Sequence, residues 1–218
     1  MTIRNQLAFE SGSILDDDVR PGSCAERRAR LTEPHVAPLE GWARTVESTR
    51  EEAVPSFDPD SGGRSARVLF LREEPWCKAA EGPRFVSIDT NDPAAHNTRK
   101  AYAAAGLDRA TTLHWNVVPW WVRNPAKTGT GGRTLAVQAR RARADLREFL
   151  EMFEALQVVV LLGRAAEQAW RTADGRASEV LSCPHPSPLA WHQTDRTSGL
   201  RNGQLTVETF REVAERLR

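Results

Sequence analysis

A chain of 218 residues fits one compact domain or one domain with an appendage. Its 30 basic and 29 acidic side chains nearly cancel, which argues against a partner held by bulk charge. No apolar run approaches the roughly 18–20 residues of a bilayer span, the N-terminus lacks an apolar signal core, and Cys24, Cys77 and Cys183 are too few and too scattered for a disulfide framework or a four-cysteine cluster.

Residues 1–65 carry 12 acidic and 8 basic side chains and little periodicity. They read as an N-terminal extension, partly helical, that packs on the core or is partly disordered, ahead of a main domain over 66–218. One helix is expected over about 39–53, with Trp42, Ala43, Val46 and Ala53 on a shared face. Residues 55–66 are turn-rich and read as a linker. The run VLFL over 68–71 is a buried strand, stopped by Pro75. Residues 85–88 are extended or a turn. A helix follows over 92–107, with Asp92 as N-cap, Pro93 in the first turn and Gly106 at the stop. Residues 111–118 are β-rich, 119–134 form a polar loop, and 135–155 make one long helix with Leu146, Phe149, Leu150 and Phe153 on its apolar stripe. VVVLL over 158–162 is a second buried strand, followed by Gly163 and a helix to about 171. A short strand over 179–182 and a helix over 207–217 complete the chain. This alternation predicts an α/β fold: a three-layer α/β/α sandwich around a mainly parallel four-stranded sheet.

Ligands of such folds bind beyond the C-terminal strand ends. Those ends hold Glu73 and Glu74, Asn116, Gly163 and His185. An amide side chain offers a donor and an acceptor to the edge of a nucleobase. A carboxylate can hold a water and stabilise positive charge, and a histidine can donate to a leaving-group oxygen. Together they fit hydrolysis of a glycosidic bond through an oxocarbenium-like state. Residues 119–147 add seven basic side chains against Asp145 alone, among them Arg123, Lys127 and Arg133, with Trp120 and Trp121 beside them. Such a stretch suits phosphate contacts and stacking. The alternative is a solvated basic helix face. The remaining histidines show no metal-ligand spacing.

Five motifs in order resemble the uracil-DNA glycosylase superfamily. HPSPL at 185–189 resembles its signature loop. VLFLREEPW at 68–76 resembles its first motif, a strand followed by GQDPY or, in the thermostable branch, GEAPG. GPRFVS at 82–87, AAGLDR at 104–109 with WNVV at 115–118, and VVVLLGRAA at 158–166 follow in the family's order. The pattern is closest to the thermostable branch, although the cysteines that hold its iron–sulfur cluster have no counterparts here.

The resemblance implies a monofunctional hydrolase that flips a damaged base, uracil first among the candidates, out of DNA and leaves an abasic site. It implies roles for several residues. His185 stabilises the departing base, Asn116 reads its edge and Phe85 stacks on it. Ser187 contacts a phosphate and Leu189 fills the gap in the stack. Glu74 stands at the carboxylate position of GQDPY and Glu73 at that of GEAPG; Glu73 is slightly favoured. Trp76 replaces the tyrosine that excludes thymine's methyl. Arg72 stands where the family has glycine, a departure that puts activity in question. No metal or organic cofactor is implied. The expected partner is DNA with a damaged base, and the expected setting is a monomer in the cytoplasm, at the nucleoid. The rival reading, motivated by Arg72 and the doubled glutamate, is a catalytically silent relative that binds DNA or a nucleotide. The choice among uracil, hypoxanthine, xanthine and alkylated bases stays open, as does single- against double-strand preference.

Overall fold

The computed structural model describes residues 2–75, 83–122 and 134–218. Trp76, Arg123, Lys127 and Arg133 lie outside the described residues. The sheet is built from β2 (Val68–Arg72), β4 (Thr112–Asn116), β5 (Val158–Leu162) and β6 (Glu179–Cys183), in the order β4-β2-β5-β6 and parallel throughout. A separate two-stranded piece pairs β1 (Ser56–Phe57) in parallel with β3 (Phe85–Val86). No described helix is long and apolar enough to cross a membrane.

The central strands are apolar because both of their faces are covered. Leu69, Leu71, Val159 and Leu161 face one layer; Val68, Phe70, Val158, Val160 and Leu162 face the other. The first layer holds α3 (Ala37–Arg50), α5 (Leu135–Arg141), α6 (Arg143–Glu151) and α7 (Arg164–Thr172). The second holds α4 (Pro93–Ala105) and α9 (Asn202–Arg216). The α/β/α sandwich with four parallel strands is therefore present. Asp92 caps α4 by accepting from the Ala94 and Ala95 N–H groups, and Gly106 ends it at φ +65°.

Three regions differ from the sequence reading. The stretch 55–66 is not a linker: Phe57 is fully buried, stacked 3.7 Å from Trp115, and Asp58 is buried among arginines. The rest of the N-terminal segment packs likewise. It forms α1 (Gln6–Glu10), α2 (Ser23–Ala29) and α3, and buries Ala8, Ile14, Leu15, Leu39 and Trp42. The helix expected over 135–155 is two helices. Its halves turn at Ala142, where ψ is −2°, so that α5 meets α7 while α6 meets α3. The last helix starts at Asn202, where the Gln204 side chain accepts from the Arg201 N–H at 2.9 Å and the Gln204 N–H donates to the Arg201 carbonyl. The absence of a side chain at Gly203 admits the Trp191 ring of α8 (Pro188–Trp191); a Cβ there would lie 2.6 Å from it.

Candidate active site

The C-terminal ends of β2, β4 and β6 open into one cleft of about 640 Å³. Glu73, Glu74, Phe85, Asn116 and His185 all line it, with Ser187 and Leu189 at its wall. Residues spread over more than a hundred positions thus converge, as strand ends of a parallel sheet do.

Asn116 is the last residue of β4 and is 2% exposed. Its Nδ2 is buried and has no hydrogen-bond partner among the described residues. A buried amide donor without a partner is expensive, by about 1–3 kcal/mol.

His185 stands on a loop held from three sides. Gly163 N–H donates to the Cys183 carbonyl at 2.8 Å, Asn97 Nδ2 to the Pro186 carbonyl at 2.9 Å, and Thr206 Oγ1 to the Pro184 carbonyl at 3.3 Å. Gly163 is at φ +93°, and a Cβ on it would come within 2.8 Å of the His185 Cβ. Glycine is needed there both for its conformation and for its size. The His185 Nδ1 accepts from the Ser187 N–H at 3.1 Å. In the neutral ring this leaves the proton on Nε2, which makes Nε2 a donor.

The two carboxylates have different surroundings. Glu74 is 6% exposed, and its Oε2 accepts from the Val122 N–H, so it ties the chain after β4 to the end of β2. Glu73 is half-buried, and its carbonyl accepts from Val118 N–H at 2.9 Å. Phe85 is fully buried, with the Arg28 guanidinium 5.7 Å from its ring centroid. Ser187 caps α8 by accepting from Ala190 N–H at 3.4 Å. Leu189 follows and is 78% exposed, with nothing packed over most of it.

Two cleft residues lacked any sequence signal or were read only as a departure. Arg4 lines the cleft from the N-terminal segment, held by its own N–H donating to Asn91 Oδ1 at 2.7 Å. Arg72, where a glycine is usual, also lines it.

Trp120 is not available for stacking on nucleic acid. It is fully buried and its Nε1 donates to Gln138 at 3.0 Å, with Arg141 packed 5.1 Å from its ring. Arg141 also pairs with Glu52 at 2.9 Å, and Asp145 is taken by Arg50. Part of the basic stretch over 119–147 is therefore spent on holding the N-terminal segment.

Beneath the cleft lies a charge cluster. Asp58 pairs with Arg27 and with Arg109 at 2.8 Å; Asp89 pairs with Arg99 and with Arg109 at 2.8 Å. Burial pushes the Asp58 carboxyl up, but Arg109 and Arg27 outweigh it and hold the group below its ordinary value. Ser87 Oγ donates to Asp58 while Ser87 itself lines the cleft. The cluster thereby anchors the segment that carries Phe85.

No curated protein sequence matches the chain. A family model described as the uracil DNA glycosylase superfamily matches residues 59–217, well over half of the chain and all of the central sheet. The chain belongs to the uracil DNA glycosylase superfamily.

Proposed function

We propose that the protein is a DNA glycosylase that takes a flipped base, uracil above all, into this cleft and hydrolyses its N-glycosidic bond. Membership of the superfamily supports a glycosylase-type hydrolase acting on DNA. The observation that carries the reading is the partnerless Asn116 Nδ2, buried in the cleft that also holds His185. An amide donor left without a partner in the free protein is suited to a carbonyl oxygen of an incoming base.

Asn116 donates to one carbonyl of the base. His185 donates from Nε2 to another as the C1′–N bond breaks and the base leaves as an anion. Glu73 faces the sugar, stabilises the oxocarbenium-like centre and positions the water. The water oxygen bonds to C1′ and its proton passes to the carboxylate or to solvent. The products are the free base and an abasic site. Glu74 is assigned a positioning role, because it holds Val122. Phe85 forms the floor; it is fully covered in the free protein, so stacking on it requires the cleft walls to part. Leu189 is the side chain that occupies the vacated stack, and its exposure suits that role. Ser187 contributes a phosphate contact, which has to coexist with its capping bond.

The test is an oligonucleotide with one uracil, incubated with the protein and then treated with alkali. Strand breakage is expected at the uracil. It should fall by roughly 10²–10⁴-fold in His185→Ala and in Glu73→Gln, and far less in Glu74→Gln once folding is matched. A panel carrying hypoxanthine, xanthine or alkylated bases ranks the lesions. Intact strands with retained duplex affinity would support the silent DNA-binding reading.

A further inference from the structure

We infer that Arg72 is a catalytic residue of this cleft, which supplies positive charge and a donor to the departing base beside Asn116. The inference rests on the glycosylase reading.

The argument begins with register. β2 and β4 run parallel, with Val68 opposite Thr112, Phe70 opposite His114 and Arg72 opposite Asn116. Side chains opposite each other on paired strands share a face, about 4.8 Å apart. The middle rung shows this directly: the Phe70 and His114 rings stack with centroids 4.8 Å apart and planes at 11°. The next rung toward the C-terminal end is Arg72 with Asn116, and both line the cleft.

Both members of that rung hold unused donors. Among the described residues, Arg72 Nε is buried without a hydrogen-bond partner, as is Asn116 Nδ2. The hydrogen bond from Arg72 Nη2 to Thr98 Oγ1 is long, at 3.5 Å. Arg72 has no salt bridge among the described residues, whereas Arg27, Arg99 and Arg109 beneath the cleft are all paired with carboxylates. Guanidinium groups stay protonated at any working pH. A fixed cation and a neutral amide, side by side with donors unspent, match an acceptor edge that gains negative charge. A nucleobase leaving as an anion has such an edge when it carries a ring carbonyl there. The arrangement suits a base that carries a carbonyl at that edge, such as uracil or a hydrolytically deaminated purine. Charge compensation of this kind acts in the transition state and costs no reorganisation.

The role predicts a dependence on leaving-group acidity. Fluorine at C5 makes the departing pyrimidine anion more stable, so 5-fluorouracil needs less help than uracil. Base release is measured from oligonucleotides carrying one deoxyuridine or one 5-fluorodeoxyuridine, with wild type, Arg72→Gln and Arg72→Lys. Arg72→Gln should slow uracil release by roughly 10²-fold and 5-fluorouracil release by about tenfold or less, while Arg72→Lys keeps much of the wild-type ratio. The ratio of the two rates does not depend on how much of a variant is folded, so partial unfolding does not mask the result. Equal slowing of both substrates, or no slowing, overturns the assignment and leaves Arg72 a packing residue. A wild type that releases neither base overturns the glycosylase reading itself, and the role of Arg72 with it.

Discussion

Two buried polar regions lie on either side of the segment that carries Phe85 and Ser87, and they are built on opposite terms. In the lower one, Asp58 and Asp89 are matched by Arg27, Arg99 and Arg109, and Ser87 donates to Asp58. In the upper one, Asn116 Nδ2 and Arg72 Nε are buried with no partner among the described residues. A cluster with its charges paired serves as scaffold; removal of any member leaves the others stranded. Donors left unsatisfied weaken the fold and persist where a ligand completes them. The comparison separates the residues that hold the cleft from those that use it.

The largest effect on stability belongs to the lower region. Asp58→Ala leaves Arg27 and Arg109 buried beside a lost partner and should cost about 3–5 kcal/mol in denaturant unfolding. A cost under about 1 kcal/mol would show that the cluster is not a scaffold. A smaller effect is expected at Gly163, against the His185 loop. Gly163→Ala puts a Cβ against His185 and forces a side chain onto φ +93°. It should cost about 1–3 kcal/mol and depress base release further than the loss of folded protein explains. An unchanged rate per folded molecule would mean that the His185 loop is not held in place by this contact.

The smallest effect concerns pH and His114. Burial, with Arg72 and Arg109 nearby, holds its imidazole well below the ordinary value of 6.5. The folded state keeps the ring neutral, while the unfolded chain binds a proton below pH 6.5. The unfolded state therefore binds more protons, and this contribution is complete above 6.5 and is lost as pH falls toward the folded value, at no more than about 1.4 kcal/mol per pH unit. Asp58 adds its own loss only below the ordinary carboxylate value of 3.8. Urea titrations between pH 7 and 5 should show a slope that His114→Gln flattens. An identical slope in the variant would assign the loss to other groups.

Much of the upper region was legible in the sequence. The central strands are uninterrupted apolar runs, which buried parallel strands require, and the polar residues that follow them mark the cleft. Asp92, Pro93 and Gly106 punctuate their helix as local chemistry dictates. Other features depend on contacts distant in sequence. The short helices α1 and α2 bury polar groups such as Asn5 and Arg27, so apolar periodicity is weak there. The turn at Ala142 has no breaker residue; it follows from the two helices meeting different partners. Trp120 reads as an exposed loop aromatic until Gln138 is seen to accept its N–H. Arg4 reaches the cleft only because Asn5 and Asn91 lock the N-terminal segment onto the loop before α4.

The most direct measurement is Asn116→Leu, followed by thermal unfolding and by base release from uracil-containing DNA on the same preparation. An apolar residue of similar size removes a buried donor that none of the described residues satisfies. The unfolding midpoint should stay level or rise, while base release falls by roughly 10²-fold or more. A midpoint several degrees lower with base release unchanged would place Asn116 in the scaffold and contradict the account.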